Sequence, residues 1–264
     1  MVNSDFFLMS LSKFELSSFS KSHLRSLIYF LLCRYVTPKA IVDPSNIIEA
    51  FKQAAINAKL AGFDGVELLA GGGYLIHQFL DVRSNLRTDE WGGDYKQRCK
   101  FLFRVVDAVV EVWGPRRVGK PFIFILFTFF NTTINVGIKF SPAGGYNDVG
   151  EAEERVIEQY SFISEQLVSR NLAYVHLMHY WKGGDLAGKG CEVDLSKMKH
   201  LYKNTGTSLF LNTGYGYDAA RAKDDVDKDL ADAIVFSQVY ICECPFSFSR
   251  TLTNTFGICR CSQS

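Results

Sequence analysis

The sequence predicts an α/β fold built on parallel strands, of the (β/α)8-barrel type but with only about five of the eight βα units of a closed barrel. Two observations predict it. Short apolar runs rich in Val, Ile, Leu and Phe alternate with longer segments whose apolar residues recur at helical spacing. The runs also lie too far apart for hairpins, so each neighbouring pair needs a helical crossover.

The first helix and strand are the clearest pair. Asp43 and Pro44 predict the start of a helix, with the acid at the N-cap and the proline at the first helical position. Apolar residues from Ile47 to Ala58 recur at helical spacing, and Gly62 is expected to end the helix. A strand over 63–69 follows at once, and its apolar character is typical of a parallel strand covered on both faces.

The same alternation continues towards the carboxyl terminus. Apolar runs predict the later strands, and the amphipathic stretches between them predict helices. The predicted strands are 136–140, 173–178, 208–212 and 231–236, and the predicted helices are about 95–113, 151–170, 195–202 and 218–224.

Three segments fall outside this alternation. Residues 1–36 show no helix and strand pattern and stay unassigned, and 251–264 is expected to be a tail. Within the predicted barrel domain, 37–250, the aromatic and β-branched run at 120–135 lies between two Val-Gly pairs. We interpret it as an insertion, because its removal joins Arg117-Val118-Gly119 directly to Ile138-Lys139-Phe140.

Composition limits the classes of function. The 29 Lys and Arg residues balance 28 Asp and Glu residues, and the net charge of +1 does not favour a nucleic-acid partner. Seven cysteines without a regular framework are typical of reduced thiols, so we expect a cytoplasmic protein. The apolar runs 27–33 and 122–130 are well short of the roughly 20 residues that cross a bilayer, so no membrane partner is expected.

A glycine-rich turn, 70–74 (AGGGY), follows the first predicted strand. Barrel active sites form at the carboxyl ends of the strands, so a tyrosine here is a candidate for chemistry. The residues alone leave a second interpretation open, in which the glycines make a flexible turn and Tyr74 is a half-buried aromatic with its hydroxyl at the surface. His77, on the helix after the turn, is expected to be exposed or to cap a helix end.

Three motifs around this turn occur in a specific order and separation: AGFDGVE at 61–67, GYLIHQFL at 73–80 and SNLRTDEWGG at 84–93. With Arg98, they strongly resemble the old yellow enzyme family of FMN-dependent ene-reductases. The resemblance continues through VGIKFSP at 136–142 and LAYVH at 172–176, and it covers about 37–250 without the insertion.

The resemblance implies an eight-stranded TIM barrel that holds FMN at its carboxyl-terminal mouth. NADH or NADPH reduces the flavin, and the flavin passes hydride from N5 to the β-carbon of an activated alkene. Tyr74 occupies the place of the tyrosine that supplies a proton to the α-carbon, a role that suits a neutral phenol. A small-molecule substrate is therefore expected.

At the substrate site the chain departs from the family pattern. Family members usually carry a His at the strand end and an Asn or His three residues later, two donors that hold the substrate oxygen. This chain has Leu69 and Gly72 at those positions.

At the flavin site the resemblance also marks departures. Lys139 stands where the family has an Arg against the flavin ring, which keeps the charge but loses the planar fork. Gly214 and Gly216 match the first phosphate-binding loop. Ser237 and Gln238 replace a Gly-Arg pair in the second loop, which removes a cation that would pair with the phosphate.

Metal binding is a weaker alternative. His176, His179 and Asp185 match no common metal-ligand spacing, and the CxC pairs at 242–244 and 259–261 are closer than the usual zinc pairs, so no metal is expected. Two hypotheses stay open: an FMN-dependent oxidoreductase, or a non-catalytic fragment or pseudoenzyme with impaired FMN binding. Because five strands would leave edges unpaired, we expect a complementing chain or a homo-oligomer.

Overall fold

The computed structural model describes residues 39–114, 136–185, 188–212 and 219–235. The chain divides into two compact units, Met1–Val42 and Asp43–Ser264, and every element below belongs to the second unit. The predicted insertion at 120–135, the unassigned segment 1–36 and the tail 251–264 lie outside the described residues, so the boundaries given to them remain predictions.

Five parallel strands form one sheet in the order β1-β2-β3-β4-β5. The order confirms the prediction of a partial (β/α)-barrel type, because each strand lies beside its neighbour in sequence after a crossover. The strands are β1 Val66–Leu69, β2 Val136–Phe140, β3 Tyr174–Met178, β4 Ser208–Asn212 and β5 Ala233–Val235.

Helices precede and connect these strands. They are α1 Ser45–Leu60, α2 Leu75–Leu80, α3 Tyr95–Arg98, α4 Lys100–Trp113, α5 Glu153–Val168 and α6 Ala219–Asp227, with 3-10 turns at Tyr146–Asp148, Lys182–Gly184 and Leu195–Leu201.

Helix α1 begins one residue later than the sequence predicts. Pro44 is the N-cap residue itself, and the Asp43 carboxylate accepts a hydrogen bond from the backbone N–H of Ser45 at 2.9 Å. At the other end Gly62 adopts φ +85°, as expected of a glycine that ends a helix. Along its length α1 packs on α4, and the Lys59 ammonium donates to the backbone carbonyl of Val112 at 2.7 Å.

The predicted helix at 195–202 is a 3-10 helix over Leu195–Leu201, so its predicted type is wrong. Leu195 and Met198 are fully buried and stand three residues apart. Side chains at i and i+3 eclipse in a 3-10 helix, which places both on the same buried line.

The two faces of the sheet differ. Helices cover one face, where the buried side chains include Leu68, Ile138, Phe140, Val175, Leu177, Leu209, Leu211 and Ile234. The other face carries Leu69, Lys139 and Phe210, which are exposed or half-buried in the described part of the chain. The expectation that β1 is covered on both faces is therefore wrong within the described residues, since Leu69 is 46% exposed.

None of the helices in the described ranges combines the length and the apolar character that a membrane span requires.

Candidate active site at the carboxyl ends of the strands

The glycine turn after β1 packs tightly on the loop after β2. The backbone N–H of Gly72 donates to the Ser141 hydroxyl at 3.1 Å, and the Asn147 side-chain amide donates to the Gly72 carbonyl at 2.8 Å. A Cβ on Gly71 would lie 2.5 Å from the Ser141 hydroxyl oxygen, and one on Gly73 would lie 2.5 Å from the Cβ of Asn147. The turn is therefore glycine-rich because another segment touches it, and the interpretation as a flexible turn is wrong.

Tyr74 leaves this turn in an extended conformation and is the N-cap residue of α2. Its side chain is 51% exposed at the carboxyl end of the sheet, and its ring lies over Gly72, whose ideal Cβ would be 3.2 Å from Cε2 of Tyr74. Tyr146 approaches the same glycine from the loop after β2, with Cδ1 at 3.9 Å from that Cβ position. Two aromatic rings thus flank Gly72.

The two positions expected to bind substrate oxygen offer no free donor. Leu69 is apolar and 46% exposed. Gly72 has only its backbone N–H, which the Ser141 hydroxyl already accepts. Neither position can reproduce the donors that the resemblance implies without a change of residue.

Lys139 lies beside Leu69 in the register of the sheet, and His176 lies on its other side. Lys139 is half-buried, and its positive charge contributes to holding the pKa of Glu67 down. The sheet therefore places the Lys139 ammonium in the same row as Leu69, one residue before the carboxyl end of β2.

Glu67, His176 and Tyr174 form a polar cluster on the same face. Nδ1 of His176 is 3.2 Å from a carboxylate oxygen of Glu67, and Tyr174 also hydrogen-bonds that carboxylate. Partial burial acts to raise the pKa of Glu67, but the hydrogen bond from His176, together with Tyr174 and Lys139, holds the pKa below its usual value. For Tyr174, burial and the Glu67 charge raise the pKa well above that of a free phenol.

His77 is buried, contrary to the expectation of an exposed side chain. It is 4% exposed, and its Nδ1 accepts a hydrogen bond from the backbone N–H of Gly73 at 3.1 Å. Burial lowers the pKa of His77 to about 4, although Asp81 acts against this. The apolar neighbours Ile76 and Leu80 on a short helix were the signal that this position points inwards.

The motif at 84–93 folds a compact loop next to α2. The Arg87 guanidinium pairs with Asp89, with Nε donating to Oδ1 at 2.9 Å, and the Asn85 amide donates to the Trp91 carbonyl at 2.7 Å. A Cβ on Gly92 would lie 2.2 Å from the Arg87 carbonyl oxygen, so this glycine is required by a backbone contact. These contacts join residues of the same motif and therefore stabilise the conformation of the loop.

Arg98 connects this loop to the rest of the site. Its guanidinium, almost fully buried, donates to the carbonyls of Leu80 at 2.8 Å and Gly93 at 2.9 Å and to the side-chain oxygen of Gln159 at 3.0 Å. It therefore ties the end of α2 to the loop and to α5.

The remaining predicted site residues cannot be placed. Gly214, Gly216, Ser237 and Gln238 lie outside the described residues, as do both CxC pairs. Across the ranges 39–114, 136–185, 188–212 and 219–235, no three His, Cys, Asp or Glu side chains form a group that would hold a metal ion.

The chain resembles known flavin oxidoreductases over most of its length. It is 33% identical over 204 residues to a probable flavin mononucleotide-dependent alkene reductase of Leishmania infantum, which covers 76% of this chain and 48% of the relative. It is 31% identical over 212 residues to 12-oxophytodienoate reductase 2 of Arabidopsis thaliana, covering 79% and 50%. The chain therefore spans about half the length of the curated relatives it matches.

Solved structures agree with these relatives. Morphinone reductase superposes with a TM-score of 0.63 at 31% identity, over 79% of this chain and 50% of that protein. Another morphinone reductase structure holds tetrahydroNAD, with a TM-score of 0.61 at 30% identity. FMN and a nicotinamide nucleotide are the cofactors of this family. Because the family model of NADH:flavin oxidoreductases and NADH oxidases matches residues 34–250, the chain belongs to the NADH:flavin oxidoreductase / NADH oxidase family, the old yellow enzyme group that its motifs predict.

Proposed function

We propose that this chain serves as the carboxyl-terminal part of an FMN-dependent oxidoreductase that takes electrons from NADH or NADPH and reduces an activated alkene or a similar acceptor. Membership of the family supports the reaction class. The observation that carries the proposal is Tyr74, whose ring stands half-exposed at the carboxyl end of β1 on a turn that Ser141 and Asn147 hold in place.

One described residue, Lys139, is proposed to contact the flavin ring. Lys139 provides a half-buried cation in the row of Leu69, and a cation there would stabilise negative charge on a bound ring. Gly214 and Gly216, with Ser237 and Gln238, are proposed as the two phosphate loops from the resemblance alone. Without the arginine of the second loop, we expect FMN to bind less tightly than in relatives that retain it.

Tyr74 is proposed as the proton donor. Bound FMN would supply hydride to the β-carbon of the alkene. The Tyr74 hydroxyl would then give its proton to the α-carbon, so that the double bond becomes two new C–H bonds. The side chain suits this role because its hydroxyl has no hydrogen-bond partner among the described residues and its ring is fixed against Gly72.

Slow turnover is expected with ordinary enones. Loss of one oxyanion donor typically costs about 10²- to 10³-fold in rate, and both positions lack a donor here. The second candidate function, a non-catalytic fragment or pseudoenzyme, is supported by the same observation, since Leu69 is apolar and the N–H of Gly72 is already bonded.

A small-molecule substrate is proposed on the same grounds as the reaction. A cytoplasmic location is proposed from the cysteine usage, and the lack of nucleic-acid and membrane partners from the net charge of +1 and the short apolar runs. We further propose that a complementing chain or a second copy covers the open face of the sheet. Supporting this, the face exposes Leu69 and leaves the stacked rings of Tyr174 and Phe210, 4.5 Å apart, half-buried in the described part of the chain.

The Tyr74→Phe variant tests the proposed proton donor. We expect flavin reduction by NADPH to continue at its original rate, because that step needs no phenol, while reduction of 2-cyclohexenone falls. Tyr95→Phe is the control, because it removes a phenol from α3 and leaves the ring contact with Phe162. Equal loss in both variants, or no loss in Tyr74→Phe, would contradict the assignment of Tyr74.

A further inference from the structure

Both polar groups of Gly73 are held by side chains of the helix that follows. Its backbone N–H donates to Nδ1 of His77 at 3.1 Å, and its carbonyl accepts from the Gln78 side-chain amide at 2.8 Å. Gly73 immediately precedes Tyr74, and each of the two peptide groups that flank Gly73 is restrained by one of these contacts. Together with the contacts of Ser141 and Asn147 to Gly72, they set the direction in which the tyrosine leaves the turn.

The contact to His77 is the buried one of the pair. Gly73 and His77 are both buried, whereas Gln78 is exposed. A buried backbone N–H without an acceptor costs about 1 to 3 kcal/mol, so the turn needs an acceptor at this point. Tyr74 makes no side-chain cap bond to its own helix, so His77 and Gln78 are the side chains that join Gly73 to α2, and His77 makes the buried contact.

We propose that His77 is a positioning residue for Tyr74: its neutral imidazole, with the proton on Nε2, accepts the Gly73 N–H and fixes the turn that presents the phenol. The inference depends on the proposed function for what Tyr74 does, but the contact itself does not. A protonated ring would place a donor at Nδ1 against the donor of Gly73, so the contact requires the neutral form.

The surroundings of His77 keep it neutral. A cavity of about 20 Å³ adjoins the ring, and its lining includes Asp81, Glu151 and Tyr160. Asp81 and Glu151 are the acidic groups that face it, and Asp81 already accepts from the backbone N–H of Gly150 at 3.0 Å. Burial lowers the pKa of His77 to about 4 despite the nearby acid, so Nδ1 remains an acceptor from weakly acidic to basic pH.

The same cavity has room for one water molecule. The hydroxyl of Tyr160 is buried and lacks a partner within the described residues, and a space of about 20 Å³ exceeds the minimum for one water. Tyr160→Phe removes a hydroxyl from the lining of the cavity and none of the contacts of Gly73, so it serves as the matched control.

Two substitutions at position 77 separate the hydrogen bond that His77 accepts from Gly73 from the space that its ring fills. His77→Asn keeps an acceptor oxygen where Nδ1 stands, because both atoms are bonded to Cγ. His77→Leu fills the space but removes the acceptor. We expect His77→Leu to slow alkene reduction by about 10- to 100-fold while flavin reduction by NADPH is unchanged, and His77→Asn to recover most of the rate.

Nuclear magnetic resonance of the full chain gives a readout that needs no activity. The ¹⁵N signals of the His77 ring, identified by their loss in His77→Asn, should show an unprotonated Nδ1 at pH 6. The ¹³Cζ signal of Tyr74 is identified by its loss in Tyr74→Phe. It should shift in His77→Leu and return to its original position in His77→Asn. Tyr160→Phe should leave the Tyr74 signal in place.

Four outcomes would overturn the positioning role of His77, and one would overturn the proposed function. A protonated Nδ1 at pH 6, or an unchanged Tyr74 signal in His77→Leu, overturns the positioning role whether or not flavin binds. Equal losses in His77→Leu and His77→Asn, or equal losses in both half-reactions, overturn it as well. If the chain retains no FMN, the proposed function fails, and the two resonance measurements still decide the role of His77.

Discussion

Arg98→Met should destabilise the chain by about 1 to 3 kcal/mol, because one buried acceptor would lose its donor. This acceptor is the side-chain oxygen of Gln159, which Arg98 contacts at 3.0 Å. The Gly93 carbonyl, which Arg98 contacts at 2.9 Å, belongs to an exposed residue and is not counted, because water can replace the lost donor. The Leu80 carbonyl is not counted, because the amide of Gln159 also donates to it, at 3.2 Å. Methionine keeps most of the apolar stem, so the loss is chiefly one of hydrogen bonds.

The assay for this prediction is urea unfolding followed by circular dichroism, with comparison of midpoints and m-values. Arg155→Met is the matched control: Arg155 pairs with Glu151 at 3.3 Å, as Arg98 does at 3.8 Å, but its side chain is 70% exposed. We expect the control to change stability by about 0 to 1 kcal/mol. If Arg98→Met costs no more than Arg155→Met, Arg98 does not join α2, the loop and α5 as described.

Three further substitutions test other parts of the site. Gly73→Ala should lower the free energy of unfolding by well over the roughly 1 kcal/mol expected for Gly62→Ala. Both glycines have positive φ, but only at Gly73 would the new Cβ meet another segment, 2.5 Å from the Cβ of Asn147. Similar unfolding midpoints for the two variants would contradict this prediction. The pKa of Glu67 is lowered on folding, so this carboxylate contributes stability above its unfolded pKa that is lost as pH falls through the folded pKa. Glu67→Gln should therefore reduce the acid dependence of the urea midpoint below about pH 4.5. An unchanged dependence would refute this prediction. In FMN-loaded protein, Leu69→His with Gly72→Asn should raise enone reduction by about 10²-fold or more, and flavin binding without a faster rate would show that missing donors are not the limit.

The strands were predictable because their signals are local. Each of the five predicted strands contains an observed strand, and Val136–Phe140 and Ser208–Asn212 match to the residue. Short apolar runs between helices leave few alternatives once the connections must be parallel crossovers. The helix at Leu195–Leu201 was predicted in place but not in type, because the spacing of Leu195 and Met198 fits both helical forms over one turn.

The site was less predictable because its contacts are distant in sequence. The partners of the glycine turn, Ser141 and Asn147, lie about 70 residues further along the chain, and nothing in AGGGY shows that another segment covers it. The sequence pointed to Tyr74 through the family motif. The inward orientation of His77 follows from packing around α2, which the sequence suggested only through its apolar neighbours.

The open sheet face was only partly predictable from the sequence. Five strands leave one wall of the core open, but apolar parallel strands are normally covered on both sides, so β1 was expected to be covered on both faces. In the described part of the chain it is not, since the face beside Lys139 is lined by Glu67, Tyr174 and Phe210 and lies opposite the helices. What covers this face in the cell determines whether the site is complete.

The most direct test of the proposed function is the visible absorption spectrum of the purified chain after incubation with FMN and removal of free flavin. We expect the chain to retain flavin absorbance, because Lys139 supplies a half-buried cation in the row of Leu69, where the ring would lie. A colourless chain would contradict the proposal and would favour the non-catalytic fragment.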